Sequence, residues 1–299
     1  MRSDLESIIV PGHRACPGCG PVLALKFALN ALGKNTIVHI ATGCMQVSIM
    51  GGGGFPGGEF PLLIPAFHTA FETSGAVISG MDAGLKALGK RNGINLVSIA
   101  GDGGTADIGL QTISGAVERG HDFIHICYDN EAYMNTGNQR SGTTTLFAAT
   151  TTTPVGKVTR GESHLYTKLK KDVPAIMAAH GAPYVATASI AYPADIVKKV
   201  KKASEIRGPK YIHIHAPCPY GWGFPENKTV EVARLAVQTG CWVLYEIENG
   251  KLNVTFKITH KKPVKEYLAI QRRFAHLTEK EIAKIQELVD QNWAKLGST

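Results

Sequence analysis

The stretch from residue 94 to 138 constrains this chain most. Ile94-Asn95-Leu96-Val97-Ser98-Ile99-Ala100 is short and apolar and ends in Gly101-Asp102-Gly103-Gly104. Such a run reads as a parallel strand buried on both faces. From Ala106 to Arg119, Ile108, Ile113, Ala116 and Val117 recur at roughly helical spacing. Phe123-Ile124-His125-Ile126-Cys127-Tyr128-Asp129-Asn130 is a second buried strand. Together they make a βαβ unit, whose chemistry belongs at the carboxyl ends of its two strands.

Both ends carry polar residues that a core strand does not need. Gly101 and Gly103 let the backbone approach a bulky anion, and a following helix offers amides to phosphate. Asp102 alone would repel phosphate. It makes sense with a divalent cation between them, because Mg²⁺ is commonly held by one or two carboxylates plus phosphate oxygens. Asn130 brings a neutral oxygen to the adjacent strand end. The plainer alternative is a glycine turn whose Asp caps a helix.

Gly101-Asp102-Gly103 followed by Asn130 resembles the thiamine diphosphate signature. The run from Asp129 through Glu131, Ala132, Tyr133, Met134, Asn135, Thr136, Gly137 and Asn138 to Gln139 resembles 2-oxoacid:ferredoxin oxidoreductases more specifically, and the chain is similar to their β subunit, the pyruvate type above all. The resemblance covers about residues 10 to 225. It implies that Asp102, Asn130 and the carbonyl of Ala132 hold Mg²⁺ on the diphosphate. Thr42, Gly43, Gly101, Gly103, Gly104, Asn135 and Thr136 then touch the cofactor. Asn135 would stabilise a developing oxyanion, and His68 would face the active site, with a surface or capping histidine as its alternative. The implied reaction is oxidative decarboxylation of pyruvate with coenzyme A, giving acetyl-CoA, CO₂ and reduced ferredoxin. The same scaffold could act instead on 2-oxoglutarate, 2-oxoisovalerate, indolepyruvate or oxalate.

Six cysteines in a cytoplasmic chain favour metal or cluster ligation over disulfides. Cys16 and Cys19 form a C-x-x-C in a Pro/Gly loop; Cys44 follows the strand Thr36 to Ala41, and Cys218 follows the strand Tyr211 to His215. These four fit a four-thiolate 4Fe–4S cluster and resemble the family's cluster ligands. A four-cysteine zinc site in a structural subunit is the physical competitor. Cys127 and Cys241 lie in apolar runs and read as small buried hydrophobes. Pro21 departs from the family pattern, which often has an acidic residue there.

Alternation of strands and helices up to His215 predicts an α/β fold with a mostly parallel sheet of about six strands, and the resemblance implies that it is the thiamine diphosphate-binding fold. Residues 1–225 form the cofactor domain. Residues 226–299 form a hairpin and helix appendage that wraps a partner subunit, with an Asn249-Gly250 turn and a capping box of Thr278 and Glu281. Gly51 to Gly58 is a loop facing the cofactor or a partner. Ser141 to Thr153, with its seven threonines, is an irregular wall near the cofactor.

The net charge of +8 fits an acidic protein partner as well as nucleic acid or an anionic membrane. No nucleic-acid motif accompanies it. Lys198, Lys199, Lys201 and Lys202 read as a solvated helix face. A second basic group is Lys257, Lys261, Lys262 and Lys265. No run of some 18 apolar residues exists, and Asp4 and Glu6 interrupt the N-terminus, so a cytoplasmic chain without a membrane span is expected. Thiamine enzymes also need a pyrimidine-binding domain, for which this chain has no room. The resemblance therefore implies an α subunit that carries it, with γ and δ (ferredoxin-like) subunits completing the complex.

Overall fold

A computed structural model describes residues 7–50, 61–155 and 167–297. The glycine-rich stretch 51–58 lies outside the described residues. Eight strands form one sheet: β1 (Thr36–Ala41), β2 (Ala66–Thr69), β3 (Asn95–Gly101), β4 (Phe123–Asp129), β5 (Tyr184–Ser189), β6 (Pro209–His215), β7 (Tyr245–Glu248) and β8 (Lys251–Val254). Their order is β2-β1-β3-β4-β6-β5-β7-β8, with the first six parallel. Chain direction across the sheet reverses between β1 and β3, which is where open α/β sheets bind ligands.

The central strands are apolar because both faces are covered. On one face Ile124, Ile126 and Tyr128 join Val97, Ile99, Ile212 and Ile214 beneath α1 (Gly20–Leu32) and α7 (Pro193–Glu205). On the other, Phe123, Cys127 and Tyr211 pack beneath α3 (Ser74–Ala87), α5 (Leu110–Glu118) and α6 (Val173–Ala179). Each fully buried side chain of this size contributes about 1.5–3 kcal/mol, so the two layers dominate the stability of the sheet.

Several details depart from the sequence expectation. The helix expected over Ala106 to Arg119 is two: α4 (Asp102–Ala106) and α5, joined by a turn at Asp107–Gly109. A Cβ on Gly109 would meet Gly104 O at 2.1 Å, so only glycine fits where the chain turns, and Ile108 is left exposed. The sheet has eight strands rather than about six, because the C-terminal hairpin is not set apart from it. Its strand β7 pairs antiparallel with β5, and Asn249 (φ 48°) and Gly250 (φ 79°) make the expected tight turn. Helices α9 (Thr229–Gln238), α10 (Val264–Ala269) and α11 (Glu279–Gly297) bury Val232, Leu268 and Ile285 against Trp222 and Phe274. The capping box forms: Glu281 N donates to Thr278 Oγ1 at 3.3 Å and Thr278 N to Glu281 Oε2 at 2.8 Å. The lysines of α7 are not one solvated face. Lys199 is buried, its Nζ on Thr187 O at 2.8 Å and Asp195 Oδ2 at 2.7 Å, and Lys202 pairs with Glu246 and Glu248.

One polar row crosses the buried layer. His39, Ser98, His125 and Tyr211 lie in register on four adjacent strands. Burial, aided by the charge of His68, pushes His39 down to about 4; burial, aided by His39 and His213, pushes His125 down to about 3. Both imidazoles are neutral in the fold but protonate near ~6.5 in the unfolded chain. Their folded values lie below their unfolded ones, so their contribution is intact above pH ~6.5. It is lost as pH falls towards 4, at about 1.4 kcal/mol per pH unit for each histidine. The urea midpoint should therefore fall between pH 7 and pH 5, and less steeply in His125→Gln, as followed by circular dichroism.

Candidate active site

The carboxyl ends of β1, β3 and β4 open into a cleft lined by Thr42, Gly43 and Cys44, by Gly101 to Gly104, and by Asn130, Ala132, Asn135 and Thr136. Residues from three separate parts of the sequence thus meet at one place. Phe71, Tyr128, Tyr133 and Met134 supply its apolar side. Asp102 is fully buried at the start of α4. The Asn130 side-chain amide ends 2.9 Å from Asp102 Oδ1 and 2.9 Å from Ala132 O, bonding both once its NH₂ is turned towards them. A carboxylate, an amide and a carbonyl therefore converge, and turning the amide the other way presents three oxygens to one point. That is the donor set of a hard cation such as Mg²⁺. Asn135 and Thr136 stand exposed at the mouth. His68 is not brought to the cleft. Alternation along β2 turns Thr69 towards His39, 2.8 Å away, and leaves His68 exposed on the opposite side.

Ser141 and Thr143 both donate to Asp102 Oδ2, Thr143 at 2.9 Å, and Thr143 also reaches Asp129 Oδ1 at 3.1 Å. The threonine-rich segment thus supports Asp102 from behind through two buried hydroxyls and does not itself line the cleft. Burial, and next the negative charge of Asp129, push the Asp102 carboxyl well above the usual carboxylate range. Burial works against Asp129 as well, but Lys170 (2.6 Å) and His213 (2.8 Å) hold it below that range. Glu131 is held low in the same way by Lys170 and Arg273. Asn130 faces the cleft between two paired carboxylates that point away from it.

The four loop cysteines also converge. Arg14 N bonds Ser48 O at 2.9 Å, tying the Cys16 loop to α2 (Cys44–Ile49). A Cβ on Gly20 would meet Pro217 O at 2.4 Å, and one on Gly18 would meet Glu226 O at 2.4 Å, so glycine lets the Cys16–Cys19 loop seat on the Cys218 loop. Burial pushes the Cys19 and Cys44 thiols up to about 12, and the other thiols of the group push further the same way. Burial also raises Cys218, whose Sγ accepts from Gly221 N at 3.4 Å. Cys44 additionally feels Asp102, so the two groups are neighbours. Among the described residues no three His, Cys, Asp or Glu side chains close on a point as one metal ion requires. In a 4Fe–4S cluster each thiolate binds its own iron, which spreads the ligands wider. Cys127 is buried on β4, as expected, whereas Cys241 lies in the bend before β7.

A family model for thiamine pyrophosphate enzymes, C-terminal TPP-binding domain, matches residues 41–214. Pyruvate synthase subunit PorB of Methanothermobacter marburgensis is 55% identical over 290 residues, covering 97% of each chain. The chain belongs to the β-subunit family of the 2-oxoacid:ferredoxin oxidoreductases. Its relatives include ketoisovalerate oxidoreductase subunit VorB of Pyrococcus horikoshii, 50% identical over 97% of this chain and 93% of that one. The fold is also that of 2-oxoglutarate:ferredoxin oxidoreductase from Magnetococcus marinus, at a TM-score of 0.57 and 22% identity over 76% of this chain and 78% of that one. The family match takes in Asp102, Asn130 and Cys44; Cys16, Cys19 and Cys218 lie outside it.

Sequence reasoning missed the aromatic half of the cleft. Its signal was the glycines themselves: a Cβ on Gly103 would lie 2.4 Å from Tyr133 Cε1, and one on Gly101 3.2 Å from the Tyr128 ring. The glycines admit these rings as well as any phosphate. Gly103→Ala should therefore destabilise the chain by about 1–3 kcal/mol, the range for overpacking. Adding Tyr133→Leu should recover most of the loss. Gly80→Ala, whose Cβ meets nothing within 4 Å, should lose none; denaturant unfolding of the three variants checks this.

Proposed function

We propose that this chain is the thiamine diphosphate-, Mg²⁺- and 4Fe–4S-binding subunit of a pyruvate:ferredoxin oxidoreductase. It would decarboxylate pyruvate oxidatively with coenzyme A to acetyl-CoA, CO₂ and reduced ferredoxin, reversibly. The observation that carries the reading is the meeting of Asp102, Asn130 and Ala132 O beside Cys44, a hard-cation donor set next to a group of four thiols. The PorB relatives support pyruvate as substrate. The likeness to VorB supports a second reading, a branched 2-oxoacid.

When bound, the thiazolium ring of thiamine diphosphate supplies an electron sink for loss of CO₂, and the cluster takes up electrons singly. The chain's own residues do the rest. Asp102, Asn130 and Ala132 O hold the metal on the diphosphate, with Thr42, Gly43, Gly101, Gly103, Gly104 and Thr136 around the cofactor. Phe71, Tyr128 and Tyr133 exclude water from its deeper side. Asn135, exposed at the mouth, is positioned to donate to an oxygen that gains charge in the reaction. Cys16, Cys19, Cys44 and Cys218 ligate the cluster. An α subunit supplies the pyrimidine-binding domain, residues 226–299 contact a partner subunit through their outer surface, and γ and δ subunits carry electrons to ferredoxin.

Turnover of the reconstituted complex against a panel of 2-oxoacids tests the substrate. A preference for 2-oxoisovalerate or 2-oxoglutarate over pyruvate would displace the pyruvate reading. Asp102→Ala should lose thiamine diphosphate on gel filtration while keeping its circular dichroism. Cys218→Ser should lower iron per chain and abolish ferredoxin reduction, whereas Cys127→Ala keeps full iron. Zinc in place of iron in anaerobically purified protein would favour a structural metal site.

A further inference from the structure

Glu131 follows Asn130 and faces away from the cleft. Its backbone takes φ 63°, a left-handed conformation that costs a non-glycine residue of order 1–3 kcal/mol and persists only where its surroundings hold it. Thr145 Oγ1 at 2.7 Å and Lys170 Nζ at 3.1 Å donate to the side chain, and Arg273 Nη2 lies 2.7 Å from it as an ion pair without an aligned hydrogen bond. Arg273 is the one that arrives from the far end of the chain. Its guanidinium Cζ lies 3.6 Å from the centroid of the Trp222 ring, and its Nε donates to Gln271 Oε1 at 2.9 Å.

Trp222 carries the connection onward. Its Nε1 donates to Asn130 O at 2.7 Å, and its backbone N–H donates to Cys218 O at 3.0 Å, closing the single turn α8 (Pro219–Trp222) that Cys218 caps. The neighbouring backbone is locked too: Arg272 N bonds Gly223 O at 3.1 Å, and a Cβ on Gly223 would meet Arg272 Cβ at 2.6 Å. One buried cation thus touches the Asn130 turn directly and the Cys218 turn through one ring.

We propose that Arg273 is a positioning residue shared by the two cofactor sites, holding the Asn130–Glu131 turn in its left-handed conformation and, as a buried positive charge one ring away from the Cys218 turn, raising the reduction potential of the cluster. The proposal rests on the four-cysteine reading above. A reduced cluster carries one more negative charge than an oxidised one, and a nearby cation in a low-dielectric surrounding favours it. Guanidinium stays charged at any working pH, and its planar fork suits simultaneous pairing and stacking better than an ammonium does.

The test is a redox titration of the assembled holo-complex followed by electron paramagnetic resonance, read on the signal that Cys218→Ser removes. Arg273→Met should move that signal's midpoint to more negative potential and weaken retention of thiamine diphosphate with Mg²⁺ about 10–100-fold, the range for loss of an outer-shell partner. Arg273→Lys should restore the potential while retention stays impaired. Should Arg273→Met fail to assemble, Glu131→Gln carries the test. It removes the counter-charge, leaves Arg273 in place, and should shift the midpoint to more positive potential. An unchanged midpoint in Arg273→Met, or a negative shift in Glu131→Gln as well, overturns the proposal while leaving the cluster reading intact. If Cys218→Ser removes no signal, the fourth ligand lies elsewhere, and the four-cysteine assignment fails and the proposal with it.

Discussion

The structure is organised around a charge problem at the ends of two neighbouring strands. Asp102 and Asp129 are both fully buried, and each raises the other's cost of ionisation. An uncompensated carboxylate in such a place costs several kcal/mol, more than any one core contact supplies. The chain meets this by division. Asp129 takes the cation, through Lys170, and the imidazole of His213. Asp102 receives only neutral donors, the hydroxyls of Ser141 and Thr143 and the amide of Asn130, and is left wanting positive charge on the side that opens to the cleft. A divalent cation bound there would complete the compensation, and the same arrangement would then anchor a diphosphate.

That division recruits distant segments. Lys170 and the hydroxyls come from the loops between β4 and α6, His213 from β6, and Arg273 from the turn after α10. Through Arg273 the C-terminal segment is therefore a structural part of the site's surroundings. Trp222 ties the same region to the Cys218 turn, while Gly18 and Gly20 bring the N-terminal C-x-x-C within backbone contact of it. Cys44, at the end of β1, lines the cleft and belongs to the cysteine group as well.

Much of this was legible in the sequence. The βαβ unit, the Gly-Asp-Gly turn and the Asn130 strand end are local patterns, and the structure brings them to one cleft. The four loop cysteines separated from Cys127 by flanking Pro and Gly, and the structure gathers those four. Other features were not legible. Alternation on a four-residue edge strand decided that Thr69 rather than His68 turns inward. Lys199 lies buried because Asp195, Thr187 and Thr255 converge on it from three elements. No run of lysines announces that.

The sequence by itself determined where strands end and which donors stand there, because apolar runs, glycine turns and polar strand ends are properties of a few consecutive residues. Tertiary structure alone decided which strand ends adjoin and which cations reach the buried carboxylates. It also decided that the C-terminal hairpin pairs with β5 instead of standing apart. Those outcomes depend on the order of strands in the sheet and on contacts between residues far apart in the sequence. Compensation of a buried charge is a requirement of the folded interior, and the residue that meets it can come from anywhere in the chain.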